Sequence, residues 1–219
     1  MLIAGIDEAG RGPCIGPLVI SVACIEKRDE EKLIELGVKD SKLLSARERE
    51  RQFRELKKIL KEFRFVRIEA EEIDSLRDRK SLNEVEAMRV GELLEGLEEK
   101  PEVVYVDSPD VISSEFEKRI RKFISFNPII RAEHKADQKY PVVSAASIVS
   151  KVERDSALKE LEKDFGPLGS GYPHDEITIG FLRKYLHQNN SLPFIARKSW
   201  ITNQRILEEK FQKKIVQWK

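Results

Sequence analysis

The stretch Leu2-Ile3-Ala4-Gly5-Ile6-Asp7-Glu8-Ala9-Gly10-Arg11-Gly12-Pro13 decides the fold, because a short apolar run breaks into two carboxylates and then into a glycine-flanked arginine. The apolar part reads as a buried strand over residues 2–7, so both carboxylates sit where that strand surfaces. Neighbouring residues of an ideal strand face opposite ways. Asp7 and Glu8 can therefore share a ligand only if the strand has ended, and Gly10 allows an early end. An acidic pair can hold a divalent cation while bare backbone and a guanidinium approach a phosphodiester, which points to metal-assisted nucleic-acid chemistry.

Working outward, residues 17–25 are too apolar for a sheet wetted on one side and read as a second central strand. Further strands are predicted over residues 63–70, 103–106 and 128–132. Ser45-Ala46-Arg47-Glu48 and Ser81-Leu82-Asn83-Glu84 each match a capping box, with apolar residues following at helical spacing. Helices are also expected over residues 144–165, closed by Gly166-Pro167, and over 176–187 and 202–216. Early strands followed by alternation give an α/β domain with a central mixed sheet flanked by helices. The polar stretch 189–193 sets the boundary, leaving a domain of residues 1–190 and a basic C-terminal helical segment, 191–219. There Arg197, Lys198, Arg205, Lys210, Lys213, Lys214 and Lys219 accumulate against only Glu208 and Glu209.

The 219 residues, 40% hydrophobic, can bury a sizeable core, but a net charge of +1 with 36% charged residues leaves nucleic-acid affinity to the distribution of charge. Heavy Lys, Glu and Arg usage resembles a protein from a hot-growing organism. Cys14 and Cys24 show no zinc spacing and read as free buried thiols. No apolar run reaches the length of a membrane span, so a cytoplasmic protein without membrane contact is expected.

Four acidic residues mark abrupt changes of polarity: Asp7 and Glu8, Asp107 after Val103-Val104-Tyr105-Val106, and Asp137 in His134-Lys135-Ala136-Asp137. If the first and fourth strands run parallel as neighbours, Asp7 and Asp107 project from adjacent C-terminal ends, where α/β sheets carry their sites. Two such carboxylates need a counter-charge, and hard Mg²⁺ or Mn²⁺ suits them. Strand-end aspartates also cap turns, and that reading stays open for each residue taken singly. Gly10-Arg11-Gly12-Pro13-Cys14-Ile15-Gly16 lacks the third glycine and the following helix of a dinucleotide fingerprint. Its bare backbone could instead touch a ribose 2′-hydroxyl, or simply turn between strands. Lys39-Asp40-Ser41-Lys42 suits phosphate contacts, and Tyr172 in Gly169-Ser170-Gly171-Tyr172-Pro173 could stack on a sugar or pack within its loop. His134 lies near Asp137, where a structural hydrogen bond is the simpler reading.

These motifs together resemble ribonuclease HII, the type 2 ribonuclease H family, in its archaeal branch. Asp7 to Pro13 resembles its opening signature, Lys39 to Lys42 the second, Asp107 the third and His134 to Asp137 the fourth. Ser144-Ala145-Ala146-Ser147-Ile148-Val149-Ser150-Lys151-Val152-Glu153-Arg154-Asp155 and Gly169 to Pro173 follow. The resemblance implies a ribonuclease H-like fold in which Asp7, Glu8, Asp107 and Asp137 bind Mg²⁺ or Mn²⁺. It also implies that Gly10, Arg11 and Gly12 sense the 2′-hydroxyl, Tyr172 packs on the next deoxyribose, and Lys39, Ser41 and Lys42 grip phosphates. The implied reaction is endonucleolytic, at RNA/DNA hybrids or ribonucleotides embedded in DNA. It cuts 5′ of the ribonucleotide by a two-metal mechanism and leaves 3′-hydroxyl and 5′-phosphate ends. A monomer is expected, with the tail 212–219 as a possible sliding-clamp contact. Leu43 and Ser150 stand where Lys and Ala are common, and Glu176 replaces a frequent proline, which leaves the loop after Tyr172 open. The competing classes are a non-catalytic hybrid-binding module and a nucleotide-cofactor enzyme.

Overall fold

The computed structural model describes residues 1–38 and 44–216, residues 211–216 as backbone alone. Strand β1, Leu2–Ala9, pairs antiparallel with β2, Leu18–Glu26, in a ladder that starts at Leu2 with Glu26 and ends at Ala9 with Val19. β1 therefore runs two residues past its predicted end. Its pairing with β2 persists until Gly10, at a φ of 88° that favours glycine, turns the chain away.

A 3₁₀ turn, Lys27–Asp29, leads into α1, Glu30–Glu35, and α2, Ala46–Ile59, precedes β3, Glu62–Ile68. Then come α3, Ala70–Arg77, α4, Leu82–Gly96, β4, Val103–Asp107, α5, Ser113–Arg121, β5, Ile129–Glu133, and α6, Ala136–Lys139. The chain closes with α7, Pro141–Phe165, α8, Glu176–Asn189, and α9, Ile201–Val216. Both predicted capping boxes are made, at Ser45 with Glu48 and at Ser81 with Glu84. α3 and α5 carry no local signal: they are short, and neither N-cap residue, Glu69 or Ile112, makes a side-chain cap hydrogen bond. α7 starts before residue 144 because proline suits a helix's first position, where its missing N–H costs nothing.

The strands lie in the order β3-β2-β1-β4-β5, with β4 parallel to both β1 and β5. This is the expected mixed sheet flanked by helices. The described chain gathers into two compact units. The first comprises Met1–Ala9, Val19–Arg67 and Ser81–Asp155, and the second comprises Gly10–Leu18, Ile68–Lys80 and the chain from Ser156 onward.

In the first unit, Ile3, Ile25, Val103 and Tyr105 of the sheet share a core with Val142, Val143 and Val149 of α7. Burial of each such aliphatic side chain contributes roughly 1.5–3 kcal/mol. Gly5 lets helix and strand meet at van der Waals contact, since a Cβ there would stand 2.3 Å from the Val142 carbonyl carbon and oxygen. The Ser21 hydroxyl donates to the Ala146 carbonyl at 2.7 Å and pins the same helix. In the second unit, Cys14, Ile15, Leu168, Leu182, Ile195 and Ile206 form a separate core. Both cysteines are free and buried, as expected, and burial pushes their thiols up to about 11 and about 12, away from the reactive thiolate range. Among the described residues, no helix is long and apolar enough to cross a membrane.

Candidate active site

The parallel pairing of β1 with β4 sets Ile6 opposite Val106, so Asp7 and Asp107, one step further along each strand, stand side by side at the C-terminal sheet edge. Asp7 is only 5% exposed. Burial pushes its carboxyl up to about 7, and the Asp107 charge adds to the rise. The Ser147 hydroxyl, the Glu8 N–H donating to Oδ1 at 2.8 Å, and the Lys151 ammonium oppose that rise. Lys151 also donates to Ser147 Oγ at 2.8 Å, so a short polar chain from α7 ends on Asp7.

Asp107 Oδ1 accepts the Ala136 N–H at 2.9 Å and thereby fixes the start of α6, whose second residue is the buried Asp137. Lys135, at φ 55°, makes the left-handed turn into α6, and the Ser144 hydroxyl donates to the Asp137 carbonyl. Hence the sheet edge brings Asp7 beside Asp107 and ties Asp107 to the helix that carries Asp137. Glu8 is placed differently. Because β1 continues through Ala9, strand alternation sets the Glu8 side chain on the opposite face from Asp7, and the early strand end that would let both share one ligand is absent. The two meet through the Glu8 main chain.

Among the described residues, no three His, Cys, Asp or Glu side chains gather closely enough to cage an ion as they stand. The donors nevertheless suit a hard divalent cation, since they are oxygen alone and include an aspartate whose ionisation is opposed by burial and, less, by the Asp107 charge.

After Ala9 the backbone turns into Gly10-Arg11-Gly12. A Cβ on Gly12 would lie 3.3 Å from Tyr172 Cε1, so the tyrosine ring borders this loop. The Cys14 N–H and thiol both donate to the Gly171 carbonyl, at 2.8 and 3.3 Å, and join the two loops through their main chains. Despite Glu176, the turn after Tyr172 is well tied. Asp175 accepts from the Ser170 hydroxyl and N–H at 2.6 Å each, which holds its carboxyl at about 2, and it caps α8 through the Ile177 N–H. Thr178 Oγ1 donates to the Leu168 carbonyl and accepts the Gly171 N–H.

Lys39, Ser41 and Lys42 lie outside the described residues, as do the side chains of 212–219. His134 Nε2 lies 3.2 Å from the Val111 carbonyl, a structural hydrogen bond. Arg197, one of the cations that accumulate in the C-terminal segment, is fully buried, its charge met by main-chain carbonyls. Lys210 likewise reaches the Leu186 carbonyl near the C-terminal end of α8. Ser147 and Lys151 were missed as functional candidates. Their signal was a place in the Ser144–Asp155 motif and a spacing of four, which puts both on one helical face.

A family model described as Ribonuclease HII matches residues 4–203. Ribonuclease HII of Pyrococcus furiosus is 43% identical over 208 residues, covering 95% of this chain and 92% of that protein. The crystal structure of ribonuclease H2 from Pyrococcus horikoshii OT3 superposes with a TM-score of 0.91 at 44% identity, over 97% of this chain and 100% of that one. A PCNA:RNase HII complex from Archaeoglobus fulgidus gives 0.84 at 38% identity, over 91% and 95%.

Proposed function

The chain belongs to the ribonuclease HII family, and on that premise we propose that it is an endonuclease acting on the RNA strand of RNA/DNA hybrids and on ribonucleotides embedded in duplex DNA. It cuts 5′ of the ribonucleotide and leaves 3′-hydroxyl and 5′-phosphate ends. The observation that carries this reading is the pairing of β1 with β4, which sets two aspartates, one of them buried, side by side at a sheet edge.

In this reading Asp7, Asp107 and Asp137 would hold Mg²⁺ or Mn²⁺, and Glu8, on the other face of β1, would reach the ions only round the sheet edge. The chemistry that two such ions would supply there is activation of a water and stabilisation of the departing 3′ oxygen. Asp7 would be a ligand of these ions, and Ser147 and Lys151 orient its carboxylate and favour its ionised form. Gly10, Arg11 and Gly12 sense the 2′-hydroxyl, the group that separates RNA from DNA at any one position. Tyr172 packs on the following deoxyribose, and Lys39, Ser41 and Lys42 hold backbone phosphates. Residues 1–190 carry the chemistry, and the basic segment 191–219 lies against the duplex. The Archaeoglobus fulgidus relative was solved in complex with PCNA. We extend such a clamp contact to this chain's residues 212–219, and take the enzyme as a monomer in the cytoplasm.

Gel cleavage of labelled duplexes tests the reading. With Mg²⁺ or Mn²⁺, a duplex with one ribonucleotide and an RNA/DNA hybrid should be cut and an all-DNA duplex spared, and EDTA should abolish both cuts. Cleavage that survives the chelator, or binding without cleavage, overturns it.

A further inference from the structure

Arg197 is among the largest fully buried side chains of the protein. Its guanidinium donates to three main-chain carbonyls: Nη2 to Gly10 at 2.7 Å, Nη1 to Arg11 at 3.2 Å, and Nε to Gly16 at 3.0 Å. Two of these three belong to the loop read above as the sensor of the 2′-hydroxyl. We propose that Arg197 is the positioning residue of that loop, setting the direction in which its peptide groups face the substrate. The inference rests on the proposed function.

A trans peptide is planar, with its C=O and N–H on opposite sides. Drawing the Gly10 carbonyl onto Arg197 turns the Arg11 N–H the other way, and drawing the Arg11 carbonyl inward does the same to the Gly12 N–H. Two successive amides thus face away from the buried guanidinium, an arrangement suited to an oxygen ligand. Without that anchor, glycines on both sides of Arg11 would leave these peptides free to rotate.

The anchor is itself held firmly. The Arg197 guanidinium lies 4.9 Å from the centre of the Trp200 ring, which Arg77 also approaches at 4.8 Å. The Arg197 N–H donates to the Cys14 carbonyl at 3.0 Å, and Asp74 accepts the N–H groups of Lys198 and Ser199. Burying a charge costs free energy that an aliphatic residue would not incur, and only a rigid fork of donors can span three carbonyls at once. Lysine, with one compact ammonium, cannot.

The test is Arg197→Lys, assayed below the melting temperature of every variant. The readout is kcat/KM on a single-ribonucleotide duplex relative to an RNA/DNA hybrid, where successive 2′-hydroxyls compensate for a loosened loop. We expect the ratio to fall about tenfold, the worth of one charge-assisted hydrogen bond, while calorimetric binding of Mn²⁺ alone is unchanged. Arg11→Ala should lower the same ratio, and the double variant should fall no further than the worse single variant, because both act through one loop. An unchanged ratio in Arg197→Lys, or losses that multiply in the double variant, would overturn the proposal. If Arg197→Lys does not fold, Asp74→Ala, which loosens the segment behind Arg197, should shift the ratio in the same direction by less, and an unchanged ratio there also counts against it. Wild-type protein that cuts neither duplex defeats the proposed function itself, an outcome distinct from these.

Discussion

The carboxylate edge of the first unit and the glycine-arginine loop of the second are consecutive in the chain yet held by opposite means. Asp7 and Asp107 are placed by strand register, and burial, with the Asp107 charge adding to it, leaves the Asp7 carboxyl raised. Gly10 and Arg11 are placed by a side chain 187 and 186 residues further on, and their carbonyls are satisfied. The first region holds a desolvated carboxyl whose ionised form a cation can compensate. The second stores orientation, which binding can use without rearranging the backbone.

The largest effect should come from Asp7→Asn. Cleavage should fall on the order of a thousandfold or more, since an amide cannot supply the charge the cations require. Near-normal turnover would end the assignment. The same change should stabilise the metal-free fold. A carboxylate held at about 7, above its ordinary 3.8, is protonated in the folded state and ionised in the unfolded one between those values. Its contribution to stability therefore declines as pH rises from 3.8 to about 7 and stays low above that. Thermal melts should show Asp7→Asn above wild type at pH 8 and level with it near pH 4, with Mn²⁺ raising only the wild type.

Next comes Gly5→Ala. Its methyl would collide with the main chain of Val142 rather than with a flexible side-chain tip, so α7 must shift. A loss of about 3 kcal/mol in urea unfolding is expected, together with weaker Mn²⁺ binding as Ser147 moves from Asp7. A variant as stable as wild type would show that strand and helix are less tightly apposed. Ser147→Ala, by contrast, leaves the packing and removes the hydroxyl between Lys151 and Asp7. Activity or metal affinity should drop roughly 10–100-fold, and an unaffected enzyme would leave Asp7 oriented by strand register alone.

The smallest effect should come from Asp175→Ala in the second region. Ser170 holds this carboxyl at about 2, below its ordinary 3.8, so its stabilisation is present above pH 3.8 and disappears as pH falls through about 2. The variant should melt slightly below wild type at neutral pH and converge with it in acid. A gap that persists in strong acid would assign the loss to the Tyr172 loop's packing instead of its charge.

Much of this was legible beforehand, for physical reasons that differ by element. β1, β2 and β4 announced themselves because strands buried on both faces read as continuous apolar runs, and the capped helices because Ser45 and Ser81 meet their glutamates within one turn. The adjacency of Asp7 and Asp107 followed once the two strands were taken as parallel neighbours. What misled was local signal: Gly10 suggested an end to β1 at Asp7, but cross-strand pairing with Val19 carried it to Ala9. The run of cations after Pro193 marked a basic segment, but it could not show that Arg197 turns inward.

Residue order alone determined which segments become strands and helices and where carboxylates meet strand ends, because apolar periodicity and caps act over a few residues. Only tertiary structure decided that Ser147 and Lys151 bear on Asp7, that Glu8 stays in the strand, and that Arg197 serves main-chain carbonyls rather than solvent. Those outcomes depend on pairings more than a hundred residues apart, or on a ladder formed with another strand. There, the energy of burying a charge is settled by whatever partners the fold delivers.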